Sequence, residues 1–104
     1  MNADRLIAYV GDAALHDGTI TTVDKQVGRL TVVVQSQTGT LLRIEFRGVH
    51  NVCSNRPVGM LLYALAEMET TERGRKFVFA NWDEQDDATL ELHADDFTIS
   101  SGDN

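Results

Sequence analysis

The sequence predicts a mainly β fold bordering on α+β: an antiparallel, meandering sheet, curled or barrel-like, with a short N-terminal helix. Three observations predict it. Apolar and polar residues alternate over several short segments, turn residues separate those segments at regular intervals, and one brief helical pattern stands near the N-terminus. A chain of 104 residues, 42% of them hydrophobic, fits a single domain over 1–104 with one modest core.

Residues 3–10 read as the helix, because Leu6, Ile7 and Val10 fall at i, i+1 and i+4 and Gly11 is placed to end it. The period then changes to two. Residues 19–23 form a plausible strand after Leu15-His16-Asp17-Gly18, and 24–28 a turn. In 29–35, Leu30, Val32 and Val34 share one face; in 41–47, Leu42, Ile44 and Phe46 oppose Arg43, Glu45 and Arg47. Such alternation buries one face and wets the other, as in antiparallel sheets. Gly48 marks a bend and 54–57 a loop.

Residues 60–69 fit two periods. Leu61, Ala64, Leu65 and Met68 line one face of a helix, and the residue types favour one; yet Met60, Leu62, Ala64, Ala66 and Met68 also alternate cleanly. The polar turn at 70–74 and the β-rich 76–82 would make this the first arm of a hairpin, so strand is taken and helix stays the alternative. Residues 83–87 form an acidic turn, 89–94 a strand with Leu90 and Leu92 inward, and 97–100 a last short strand. His93 is expected to point outward beside the acids, and 100–104 to fray.

Charge is distributed unevenly. From Phe77 onward there are eight acidic residues and no Lys or Arg, whereas residues 1–76 carry eight acids and nine bases, near +1; the total is −7. An acidic field disfavours nucleic acid and anionic membrane as partners. The N-terminus shows no secretory pattern, and the longest low-polarity run, 58–66, is half of a membrane span, so a cytoplasmic location is expected. The single cysteine, Cys53, permits no internal disulfide.

No cofactor, metal or catalytic residue is expected. The turn starting at Asp83 lacks the glycine and final glutamate of a calcium loop, placing Ala88 and Ala94 there. His50 and Cys53 have a zinc-like spacing but want two more ligands, and read more simply as a polar surface histidine and an apolar cysteine. His16-Asp17 has no nucleophile in a recognisable motif nearby, and Asp17-Gly18 suits a turn. Arg73, Arg75 and Lys76 read as internal charge complements. The best candidate is a partner-binding patch of Trp82, Asp83, Glu84, Asp86 and Asp87, since tryptophan is enriched in binding hot spots. Its competitor has Trp82 in the core and the acids keeping a sheet edge soluble.

Leu15-His16-Asp17 before the first predicted strand, Phe46-Arg47-Gly48-Val49 after the third, and the strand-rich 90–99 resemble a broad group of small bacterial β domains. The resemblance implies an all-antiparallel sheet and the strand assignment of 60–69, and brings no catalytic residue. Some members look like immunity proteins that neutralise toxins. Three functional classes therefore stand. The first is a binding module presenting its acidic hairpin to a basic protein, on the immunity pattern. In the second, a structural or homo-oligomeric protein, sheet edges with Leu41 and Val33 pair between copies. A small enzyme, the third, needs His16, His50 or Cys53 to meet another polar group in a pocket.

Overall fold

In the computed structural model, which describes residues 5–101, two antiparallel sheets face each other across one core. The strands are β1 (Leu6–Val10), β2 (Thr19–Gln26), β3 (Arg29–Gln35), β4 (Leu41–Arg47), β5 (Asn51–Asn55), β6 (Leu62–Met68), β7 (Arg75–Asn81), β8 (Thr89–Ala94) and β9 (Asp96–Ser101). Order is β1-β6-β7-β8-β5 in the five-stranded sheet and β2-β3-β4-β9 in the four-stranded sheet. Both contain the expected meanders, β6-β7-β8 and β2-β3-β4, but neither closes into a barrel.

The expected N-terminal helix is not formed. Leu6–Val10 is an edge strand, paired with β6 from Leu6↔Met68 to Val10↔Leu65, and no α-helix occurs among the described residues. The nearest helical element is a 3-10 turn at Ala13–Leu15, started by Asp12, whose side chain accepts from the Ala14 N–H at 2.9 Å. Ala3 and Asp4 of that expected helix lie outside the described residues. The strand assignment of 60–69 holds for Leu62–Met68, which pairs with β1 on one side and β7 on the other. At the C-terminus, Ser100 and Ser101 are paired with Arg43 and Leu42 of β4 and belong to β9; 102–104 lie outside the described residues.

The inner faces follow the period of two. Leu30, Val32 and Val34 on β3 and Leu42, Ile44 and Phe46 on β4 meet Leu62, Leu65, Phe77, Phe79, Leu90 and Leu92 of the opposite sheet, all of them buried. Phe46 is the centre. Its ring lies 5.2 Å from Phe77, 5.9 Å from Phe79 and 5.8 Å from Phe97, in tilted and edge-on arrangements that add to simple burial. Leu15 from the 3-10 turn closes one end of the core.

At the rim an ionic clamp joins the sheets. Arg75 on β7 donates to both carboxylate oxygens of Glu67 at 2.9 and 3.0 Å and reaches Asp96 on β9 at 3.5 Å. Its guanidinium also lies over Phe77 and Phe97. The bond to Glu67 raises the Arg75 pKa above the usual arginine value. Asp96 is held below the ordinary carboxylate value, first by the Phe97 N–H and then by Arg47. Together with the Lys76–Glu91 pair at 3.4 Å, these bonds give Arg75 and Lys76 of the basic cluster acidic partners within the chain.

A candidate recognition surface

Trp82 follows the last residue of β7, and its backbone N–H donates to the Leu61 carbonyl at 3.0 Å. That bond fixes the residue where the sheet ends, so its ring extends beyond the core and is 43% exposed. The alternative in which Trp82 packs inside is therefore wrong. Its indole N–H donates to the Asp17 carboxylate at 2.6 Å, across 65 residues of sequence.

Asp17 is positioned by the turn that carries the chain from the five-stranded to the four-stranded sheet. Its N–H donates to the Leu62 carbonyl at 2.9 Å and its φ is 67°, in the left-handed region that aspartate tolerates better than most residues. The turn reading of Asp17 stands, with the added task of anchoring the tryptophan. His16 lies beside it, donating from Nδ1 to the Tyr63 carbonyl at 2.7 Å. Its Nε2 is 3.8 Å from Asp17.

Around these groups four rings assemble. Tyr63 stands 5.2 Å from Trp82, 5.3 Å from His16 and 5.8 Å from Tyr9, and His16 is 5.5 Å from Trp82. Tyr63 is on β6 and Tyr9 on β1, and alternation turns them away from the core. Tyr9 is 56% and Tyr63 38% exposed. Two clefts border this cluster: one of about 320 Å³ with Asp12, Leu15 and His16 in its lining, the other of about 350 Å³ between Tyr9, Tyr63, Trp82 and Glu84. Sequence reasoning found Trp82 but missed Tyr9, His16, Asp17 and Tyr63. The available signal was Tyr63, which alternates with the apolar residues of its segment and shares a face with Glu67.

The acidic loop divides into two parts. Asp86 and Asp87 both pair with Arg56, and the Asn55 side-chain amide donates to the Asp87 carbonyl at 2.9 Å, tying the loop to the end of β5. Asp83 accepts from the Gln85 N–H at 2.9 Å, completing the turn. Neither Asp83 nor Glu84 pairs with an arginine among the described residues, so they are the uncompensated part of the field beside Trp82.

The remaining candidates lie elsewhere. His93 turns to the outer face of β8, away from Leu92 and Ala94, but it is buried at 7% exposure and not open beside the acids as expected, because the turn at 70–74 covers that face. Its Nε2 is 3.3 Å from Thr70 Oγ1 and 3.8 Å from Glu72, and its ring stacks on His50 at 6.4 Å. His50 donates from Nε2 to the Arg73 carbonyl at 2.9 Å, while Cys53 is a free, exposed cysteine on the edge strand β5. No group of three His, Cys, Asp or Glu side chains among the described residues is placed to hold a metal ion. No helix there is long and apolar enough to cross a membrane. Of the expected pairing residues, Leu41 is exposed, but Val33 is half-buried on an internal strand. No known protein family, curated protein or solved structure matches the chain.

Proposed function

We propose that this protein is a non-enzymatic binding module that presents the aromatic face around Trp82, with Asp83 and Glu84 at its border, to a basic protein. One observation carries the reading: Tyr9, Tyr63 and Trp82 are exposed together next to Asp83 and Glu84, which pair with no arginine among the described residues. Clustered, half-exposed aromatics are the residues from which binding hot spots are built, and an unbalanced negative border steers a positive partner toward them. The likeness to immunity-type β domains makes a basic toxin the partner class to try first. Asp86 and Asp87 serve the loop, through Arg56, more than the partner.

The test is capture of basic proteins by the immobilised chain at low and high salt. Wild type is compared with Trp82→Ala, with Asp83→Asn plus Glu84→Gln, and with Asp86→Asn plus Asp87→Asn. Salt-sensitive capture that the first two variants lose and the third largely keeps supports the reading. Equal capture by wild type and the Asp83/Glu84 variant overturns it.

A second reading, self-association, has its own observation. The edge strand β1 (Leu-Ile-Ala-Tyr-Val) is uncharged and exposes Leu6, Ile7 and Tyr9, whereas the edge strands β2 and β9 carry charges and β5 is polar. Uncharged apolar edges favour pairing with another copy. Sedimentation that finds a strict monomer at high concentration removes it.

A further inference from the structure

The cleft beside Trp82 has a lining that selects among guests. Tyr9, Tyr63 and Trp82 contribute rings, Ala80 and Asn81 the end of β7, and Glu84 the one carboxylate, around about 350 Å³. Successive ring pairs meet edge to face, at 73° and 87°, so the cleft is bordered by aromatic faces and edges in differing orientations. Such faces attract cations, most strongly tryptophan. An anion meets Glu84 and is repelled. A neutral apolar guest covers the carboxylate without pairing it, which costs free energy. A quaternary ammonium satisfies the rings but donates no hydrogen bond to Glu84. A guanidinium does both, lying flat on a ring while its N–H fork meets a carboxylate.

We propose that this cleft takes the side chain of an arginine supplied by the basic protein partner. The proposal rests on the binding-module reading above and names the group that the module recognises. The site is held ready before binding: Trp82 is fixed by its N–H bond to Asp17 and by contact with His16 and Tyr63. Such preorganisation lowers the cost of ordering side chains on association. The nearby Arg56 of the chain itself is engaged by Asp86 and Asp87.

The experiment titrates the intact protein with short, otherwise neutral peptides carrying one arginine, citrulline, lysine or trimethyllysine. Fluorescence of Trp82, the chain's one tryptophan, is the readout. The arginine peptide is expected to give a saturable change, the citrulline peptide to bind at least about tenfold more weakly, and the two lysine peptides several-fold more weakly. Tyr9→Ala and Glu84→Gln, both at exposed positions, are each expected to weaken arginine binding about three- to tenfold while far-UV circular dichroism stays unchanged. Equal binding of arginine and citrulline, tighter binding of trimethyllysine, or indifference to Glu84→Gln overturns the proposal. If arginine peptides fail while salt-sensitive capture through Trp82 persists, the arginine assignment falls and the module reading stands. Loss of both removes both.

Discussion

Asp17 is where backbone strain and the candidate surface meet, and a substitution series there separates the two. The native residue combines a left-handed φ of 67° with a 2.6 Å bond from the Trp82 indole N–H, and its side chain is 34% exposed. A hydrogen bond to a charged group is worth about 1.5–3 kcal/mol, reduced to about 1 kcal/mol at this exposure. A residue without a locally bonding side chain costs about 1–2 kcal/mol in the left-handed region. Asp17→Ala loses both contributions and should destabilise by about 2–3 kcal/mol. Asp17→Gly loses the bond and gains unfolded-state entropy but escapes the strain, for a total of about 1–2 kcal/mol. Asp17→Asn tolerates the conformation and keeps an amide oxygen as acceptor, so it should cost under about 0.5 kcal/mol. Urea unfolding followed by Trp82 fluorescence and by circular dichroism measures all three. Asparagine as costly as alanine, or glycine costlier than alanine, refutes the assignment of Asp17 as a strained anchor for the tryptophan.

Other parts of the fold make separate predictions. Phe46→Ala should cost about 3–5 kcal/mol, since the ring is fully buried against three other phenylalanines; chemical denaturation checks it, and under about 2 kcal/mol contradicts the core described here. Gly18→Ala should destabilise by about 2–3 kcal/mol, because its Cβ would sit 2.6 Å from Val34 and 3.1 Å from the Leu15 carbonyl, whereas Gly39→Ala, at φ 94° in open space, should cost about 1 kcal/mol; thermal melts rank the two. Asp96 has a lowered pKa in the folded protein, so its stabilising contribution is complete above the ordinary carboxylate range and is lost as pH falls through the lowered value. Melting wild type and Asp96→Asn from about pH 7 to about pH 3 should therefore show their difference shrinking with acid, and a constant difference contradicts it.

The regular hairpins were legible in the sequence because each carries its own burial pattern. β3 and β4 alternate without interruption, and their register from Arg29↔Arg47 to Gln35↔Leu41 has no bulge. Leu62–Met68 was legible only through architecture: its residues favour a helix, and β1 and β7 on either side override that preference. β1 itself was not. Four of its five residues are exposed, so no alternation marks it as a strand, and its partner in the sheet among the described residues, β6, lies more than fifty residues away. His93 failed similarly, since what covers it is the turn at 70–74 packed over the outer face, a contact that alternation does not encode. Trp82 beside acids was readable as a motif. Its neighbours were not, because the bonds that gather them span 47 and 65 residues.

Trp82 also permits the most direct test of an exposed aromatic face in an unbalanced acidic field. Fluorescence quenching of the native protein by acrylamide, caesium and iodide reports access and local charge at that one ring. Efficient quenching by acrylamide and caesium, with iodide much weaker and the contrast reduced in Glu84→Gln, is the predicted result. A ring that none of the three reaches, or one that iodide quenches as well as caesium, contradicts the account.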